Sequence, residues 1–345
     1  MTRLAAAFLE QASHCDKLGS AFMARLLRLV AQHWPIEGAL AQRLEAWPGD
    51  IGPKGASLPL RLASALHALV LNGQSAQLRS AYPPHHTNDD QLIKAVQTTL
   101  TRHGRFIENW LTYPPQTNEV ARSAGLIPAA MWLQHQYKLP IFLSELGASA
   151  GLNLGFDRFA LTVPGHRFGP DQPVLDLAPD WYGPVPTGLW PHIAERGGVD
   201  LNPLDPTKPE DATRLIAYQW PDQPERIART RAAIAHHSAN VDTGDAIDWL
   251  AHRLKLPRDG HLHLIYHTIA WQYFPPEQQA RGRALLAHAG AQATKQTPLA
   301  WLSIEADASD QQGAAVTLHL WPANVIFDLG RADFHGRWID WIPPK

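Results

Sequence analysis

The residues best suited to bind a ligand lie in IFLSELGASAGLN, residues 141–153. An apolar run ends there at Glu145 and is followed by small residues from Gly147 to Gly151. Small residues let a ligand approach the backbone closely, and amide groups at a strand-to-helix turn bind polar ligands. The carboxylate of Glu145 would repel a diphosphate but would pair with a cation. The alternative is that the G-x-x-x-G spacing serves only close packing.

Two further polar stretches could complete such a site. In the first, QTNE and the arginine after it place Gln116, Asn118 and Arg122 near the start of a predicted helix. These side chains could bind a carboxylate or a cofactor, or they could cap the helix and pin it to the rest of the fold. In the second, DFHGRW (333–338), His335 could reach a ligand or take part only in a local turn.

His267 ends the apolar run HLHLIYH (261–267) and is the candidate general base. An imidazole suits proton transfer near neutral pH, but among 18 histidines a structural role is the more common alternative. Gln272 and Tyr273 follow it and are weaker candidates for positioning an acceptor. The sequence has no H-E-x-x-H pattern and a single thiol, Cys15, so we expect no catalytic metal.

Composition indicates a globular protein and argues against dedicated binding of nucleic acid or of an anionic membrane. Apolar residues make up 45% and charged residues 18% of the 345 residues, which excludes wholesale disorder. Lys and Arg number 30 against 32 acids, so no positive field is available for a nucleic acid or an anionic membrane. A single cysteine and an apolar N-terminal stretch too short for a signal peptide indicate a cytoplasmic protein.

The hydrophobic pattern changes at residue 138. Before it, apolar residues recur at helical spacing, which predicts an α-helical domain over residues 1–138. After it, short apolar runs alternate with helical stretches, which predicts an α/β domain over 139–345 with a parallel sheet ending in an antiparallel pair. The runs are 140–146, 196–201, 240–245, 261–267, 299–306, 314–322 and 325–331. A proline-rich stretch, 155–192, interrupts them as an insertion that either covers the site or is a surface excursion.

The segment LSELGASAG resembles the first motif of class I S-adenosylmethionine-dependent methyltransferases, in which an apolar strand, an acid and a Gly-rich turn follow one another. Ser149 stands where those enzymes usually have a second glycine. The resemblance implies a Rossmann-like, seven-stranded methyltransferase-type sheet, S-adenosylmethionine as cofactor, and methyl transfer to a small or medium acceptor.

The same resemblance implies roles for individual residues. Asp200, with Asp205 as the alternative, would accept hydrogen bonds from the ribose hydroxyls, and Asp245 with Ala246 would meet the adenine. These acids could instead cap a turn or a helix. His267 would face the methyl acceptor. The cofactor would lie across Glu145, Gly147, Ala148, Gly151 and Asn153.

Longer stretches resemble an uncharacterised bacterial family catalogued as domain of unknown function 2332. They are PPQTNEVARSAGL, ELGASAGLNLGFDR, RGGVDLNPLD, WPDQPERIARTRAAI and FHGRWIDW. This resemblance covers most of the chain and implies no particular reaction. Two other functions therefore stay open beside methyl transfer, a non-catalytic ligand-binding or regulatory module on the same fold and a metal-dependent hydrolase.

Overall fold

The computed structural model describes residues 2–34, 38–53, 55–255 and 259–345. The chain divides into two compact units. The first contains residues 1–117 and 207–231, and the second contains residues 118–206 and 232–345. Among the described helices, none has the length and apolar character needed to cross a membrane.

The α-helices of the described residues are shared between the two units. In chain order they are α1 (Arg3–Lys17), α2 (Ala21–Gln32), α3 (Ala39–Glu45), α4 (Leu58–Leu71), α5 (Ala76–Ala81), α6 (Asp89–Arg102), α7 (Gly104–Leu111), α8 (Ser123–Tyr137), α9 (Pro209–Ala217), α10 (Pro224–Ala235), α11 (Ala246–Arg253) and α12 (Pro276–Ala291). The first unit contains α1–α7, α9 and most of α10.

The first unit is a helical bundle whose core includes residues from two distant parts of the chain. Ala217 and Trp220 are buried in the same apolar core as α1–α7. The Ser20 hydroxyl, which caps α2, donates to Asp222 at 2.6 Å, and the Phe22 amide donates to the same carboxylate at 2.9 Å. Residues 207–231 therefore complete the bundle, although they follow a strand of the second unit in sequence.

The second unit is built around a mixed β-sheet. The described strands are β1 (Ile141–Leu146), β2 (Ala160–Val163), β3 (His166–Phe168), β4 (Asp176–Leu177), β5 (Asp180–Tyr182), β6 (Ile193–Asp200), β7 (Val241–Thr243), β8 (Leu262–Thr268), β9 (Leu299–Glu305), β10 (Ala314–Trp321), β11 (Val325–Ala332) and β12 (Trp338–Trp341). Nine of them form the sheet in the order β5-β12-β11-β10-β9-β8-β1-β6-β7. The strands β7, β6, β1, β8 and β9 pair in parallel, and β10, β11 and β12 continue antiparallel.

This architecture confirms an α/β protein with an N-terminal helical region and a large, mostly parallel sheet. All seven predicted runs form strands of that sheet. The sheet has nine strands, however, and not the seven that we expected. The two additional strands, β5 and β12, read DWY and WIDW; they are short and lie among prolines, so hydrophobic alternation does not reveal them.

Side chains of the sheet alternate between two faces, each covered by helices of the same unit. On one face, Leu146 and Ile265 share a buried apolar cluster with α11 and α12. On the other, α8 approaches so closely that a β-carbon on Gly125 would lie 2.9 Å from Ile304 Cδ1. The structure accordingly groups α8 with the sheet, whereas the sequence pattern places the boundary after it, at residue 138.

The proline-rich stretch 155–192 is ordered. Its strands β3, β2 and β4 form a separate three-stranded sheet, and β5 pairs with β12 at the edge of the main sheet. Six strand pairings separate β5 from β1, which at roughly 4.8 Å each is about 29 Å across the sheet. β5 therefore does not lie over the end of β1, and a covering role for the rest of the stretch stays a prediction.

Candidate functional site at the carboxyl edge of the sheet

The predicted acids come together at the carboxyl ends of the parallel strands. Glu145 pairs in register with Gly198, and Asp200, two residues further along β6, pairs with Thr243 of β7. Glu305 ends β9 on the other side of β1. This edge of an open α/β sheet, where the strand order changes direction, is where such folds usually bind ligands.

The turn after β1 requires glycine for reasons internal to the protein. Gly147, Ser149 and Gly151 have φ values of 69°, 54° and 70°, in the left-handed region that favours glycine. A β-carbon on Gly147 would lie 2.6 Å from the Ala270 Cβ, and one on Gly151 would lie 2.8 Å from Val241 Cγ2. The close approach that these glycines permit is to neighbouring strands and loops; an approach by a ligand stays a prediction.

Asp200 holds this turn in place. Its Oδ2 accepts a hydrogen bond from the Ser149 amide at 2.9 Å, and its Oδ1 accepts one from the Asn202 amide at 2.9 Å. Asp200 therefore caps backbone amides of two turns, which is the alternative role expected for it. Each carboxylate oxygen has a second lone pair, so ribose recognition stays possible for the same side chain.

Glu145 is almost fully buried, with 2% of its surface exposed. Tyr266 on β8 donates a hydrogen bond of 2.9 Å to its Oε2. Burial raises the pKa of Glu145 to about 8, and the nearby Asp200 adds to this, whereas the Tyr266 hydrogen bond and the Arg122 cation oppose it. Near neutral pH this carboxyl is largely protonated, so it pairs with a cation only after releasing its proton.

Asn118 and Asn153 fix the far side of the turn. Asn118 is buried, and its Oδ1 accepts a hydrogen bond of 2.8 Å from the Leu152 amide. Asn153 is fully buried; its Oδ1 accepts from the Ser123 hydroxyl at 2.8 Å and its Nδ2 donates to the Glu119 carbonyl at 3.3 Å. The structure therefore brings Asn118 and Asn153 to the predicted site in positioning roles. Gln116, two residues earlier, belongs to the first unit.

Arg122 joins two segments that the sequence separates widely. Its Nε donates to the Phe334 carbonyl at 2.9 Å and its Nη1 to the Thr268 carbonyl at 3.1 Å. The segment around Arg122, the end of β8 and the DFHGRW stretch consequently meet. The His335 amide donates to Asp333 Oδ1 at 2.9 Å, so the local turn expected as the alternative for this stretch is present.

His267 lies on the opposite face of the sheet from Glu145, because it follows Tyr266 directly in a strand. Its Nδ1 lies 2.7 Å from Glu305 Oε1, and its Nε2 accepts a hydrogen bond of 2.9 Å from Trp301 Nε1. Its ring stacks on Trp271 with centroids 5.0 Å apart. Both ring nitrogens thus have protein partners, and Trp301 would have to release Nε2 before His267 could accept a proton.

Glu305 is the partner that sequence reasoning missed. Burial acts to raise its pKa, but hydrogen bonds from His267 and from the Ala270 and Trp271 amides, at 2.8 and 3.0 Å, leave the pKa lowered overall. An ionised Glu305 keeps the proton of His267 on Nδ1. The available signal was an acid ending the apolar run 299–306, the same pattern that singled out Glu145.

The other predicted site residues follow the carboxyl ends of β7 and β8 and differ in how far they are exposed to solvent. Asp245 caps α11, since its Oδ1 accepts hydrogen bonds of 2.9 Å from the Ile247 and Asp248 amides, and the buried Ala246 opens the helix. Gln272 and Tyr273 are exposed in a short 3₁₀ turn after β8, Tyr273 by 66%. Tyr266, which we did not predict, binds Glu145 directly and precedes the candidate base by one residue.

No group of three or more His, Cys, Asp or Glu side chains is placed to hold a metal ion in the part of the chain that the structure describes. His263 shares the sheet face of His267 but lies toward the other end of β8, and His261 precedes the strand.

The fold and site define an α/β protein with a buried acidic and aromatic network at the carboxyl edge of its parallel strands. The sequence matches, over residues 5–341, the family described as an uncharacterised protein conserved in bacteria, DUF2332. The chain belongs to that family. No curated protein matches the sequence.

Proposed function

We propose that the second unit binds S-adenosylmethionine at the carboxyl edge of β1, β6 and β7 and transfers its methyl group to a small or medium acceptor. The supporting observation is that Glu145 and Asp200, on adjacent strands, flank a left-handed turn that Asp200 itself holds through Ser149. Glu145 can pair with an ammonium group and Asp200 can accept hydrogen bonds from hydroxyl groups. The two acids together therefore suit a ligand that carries both an ammonium group and ribose hydroxyls.

In this proposal each acid recognises one part of the cofactor. Glu145 loses its proton to solvent and pairs with the ammonium group, and Asp200 accepts hydrogen bonds from the ribose. Asp245 meets the adenine amino group through the oxygen that does not cap α11. Ala246 offers its amide to the ring, since first-turn amides have no partner within their helix.

The transfer itself moves a methyl group from the sulfonium sulfur to a nucleophilic atom of the acceptor, whose proton leaves to water or to a base. Positioning of the two reactants supplies much of the rate. We propose Gln272 and Tyr273, exposed beside the end of β8, as acceptor contacts. His267 acts as the base only if Trp301 moves off Nε2; in the arrangement described it anchors β8 to β9.

Calorimetry with S-adenosylhomocysteine, the demethylated product, tests the proposal. We expect binding in the micromolar range, weakened by about 1.5–3 kcal/mol in Glu145→Ala, the magnitude of a hydrogen bond to a charged group. Glu277→Ala, at an exposed acid in the first turn of α12, is the matched control and should bind as wild type does. Tight NAD binding without any response to the product would refute the proposal.

One observation favours binding without transfer as the second candidate. Both nitrogens of the candidate base already have partners, so the described arrangement offers no ready base on the His267 face. Incubation with S-adenosylmethionine and a low-molecular-weight bacterial extract distinguishes the two. Formation of S-adenosylhomocysteine supports transfer, whereas cofactor binding without any product supports a ligand-binding module.

A further inference from the structure

A cavity of about 530 Å³ lies at the amino ends of β1, β8 and β9, under the last turns of α11 and α12. Its floor includes Phe142, His263 and Leu299, the first or second residues of those strands. This volume falls within the range of small-molecule sites, roughly 300–1,000 Å³.

This cavity is separate from the carboxyl-edge site. Four residues along β8 separate His263 from His267, about 13 Å at the usual rise of a strand. The helix α11 begins at Ala246 in the proposed cofactor site and ends at Arg253 in the cavity wall, seven residues later, or about 10.5 Å along the helix axis.

Arg253 is held rigidly in the cavity wall. Its guanidinium carbon lies 3.9 Å from the centre of the Phe142 ring and 4.9 Å from that of Trp249. It donates to Glu195 at 3.2 Å and to the Leu143 carbonyl at 3.4 Å. A cation fixed by two aromatic rings in this way needs little further ordering when a ligand arrives, which favours binding.

The wall also contains Lys255, one acid, and histidine, glutamine and threonine side chains. Lys255 makes no ion pair with any described residue and is exposed. The Gln292 side-chain amide donates a hydrogen bond of 2.9 Å to His288 Nε2. The proton of the neutral His288 ring is then on Nδ1. Asp259 is the only acid among the described lining residues. The rest of the wall is largely apolar, with leucine and alanine side chains from α11, α12 and β9.

We propose that this cavity binds a small organic anion with an apolar body, such as an aromatic or medium-chain carboxylate. The apolar walls take the body, Lys255 attracts the charged head, and Arg253, ion-paired with Glu195, lines the wall beside it. This inference does not depend on the proposed methyl transfer, because it uses none of the residues at the carboxyl edge.

Fluorescence titration of the full chain with anilinonaphthalene sulfonate, an anionic aromatic probe, tests this inference. We expect one site per chain and binding at least about tenfold tighter, or about 1.4 kcal/mol, than that of the uncharged N-phenylnaphthylamine. Ala289→Trp and Ala293→Trp, which fill the cavity from two half-buried positions, should each weaken binding by at least about tenfold.

Ala284→Trp is the matched control, because Ala284 is exposed on α12 and is not among the described lining residues. It should bind the probe as wild type does. Lys255→Met should weaken binding of the anionic probe without changing that of the neutral one. Near-UV circular dichroism checks that each variant is folded, since loosely packed states also bind this probe. Wild-type affinity in both cavity-filling variants, or displacement of the probe by S-adenosylhomocysteine, overturns the inference.

Discussion

Replacing Glu145 by Gln should remove a large part of the pH dependence of stability. Glu145 is buried, and burial raises its pKa from 4.5 to about 8 in the folded chain. Glutamine keeps an oxygen at the position that accepts the hydrogen bond of Tyr266 but does not ionise. The variant therefore isolates the ionisation of this one carboxyl.

The direction in which stability changes with pH follows from which state, folded or unfolded, binds the proton of Glu145. Between pH 4.5 and about 8 the folded protein retains the proton of Glu145 and the unfolded chain has lost it. The unfolded state then binds fewer protons, so the free energy of unfolding falls as pH rises through this window. At about 1.36 kcal/mol for each pKa unit, the roughly 3.5 units between 4.5 and about 8 correspond to a loss on the order of 5 kcal/mol.

Urea denaturation between about pH 5 and pH 9 measures this loss. Wild type should lose stability across the range relative to Glu145→Gln, and the gap between the two curves should widen up to about pH 8 and then stay constant. The exposed Glu277→Gln serves as control and should follow wild type. Parallel curves for wild type and Glu145→Gln would show that the carboxyl ionises normally and that its burial does not hold the proton.

Two further substitutions test the packing of the site. His267→Asn should destabilise the fold by about 1–3 kcal/mol, because the indole nitrogen of Trp301 loses its acceptor, whereas Glu305 keeps its hydrogen bonds from the Ala270 and Trp271 amides; an undiminished urea midpoint with strongly reduced turnover would instead identify a base. Gly147→Ala should cost at least about 1 kcal/mol more than Gly73→Ala, since both glycines have a left-handed φ but only Gly147 also has a close neighbour, at 2.6 Å. Equal losses of stability in the two variants would show that the turn after β1 shifts to accommodate the added β-carbon.

Local sequence pattern was enough to predict the parallel sheet and its last antiparallel strands. Apolar runs of four to eight residues separated by helical stretches signal such strands directly. The pattern could not predict that residues 207–231 join the first unit, because the contact of Asp222 with Ser20 spans 202 residues. It also could not predict β12, whose four residues include two tryptophans with no clear alternation.

The candidate site shows the same division between local and long-range information. Glu145 was found because it ends an apolar run, which is a local property, and Asp200 because the resemblance to methyltransferases implies an acid after the second strand. The pairing of His267 with Glu305 depends on the register of β8 and β9, with residues 38 apart in sequence. Alternation along β8 did, however, contain the information that Tyr266 and His267 point to opposite faces. That alternation separates the candidate base from the candidate cofactor acid.

The protonated Glu145 also makes a specific prediction about ligand binding. A ligand ammonium group can pair with this buried carboxyl only in its ionised form, so binding at about pH 7 must expel a proton that the free protein holds. Calorimetric titration with S-adenosylhomocysteine in two buffers of different ionisation enthalpy measures the number of protons released. We expect close to one per site at about pH 7, falling toward zero above about pH 9, with affinity rising over the same interval. Glu145→Gln should release none. Product binding with no proton release in the wild-type protein would place the ammonium group elsewhere, and Asp200, which already lies at the carboxyl end of β6, would then be the acid to test.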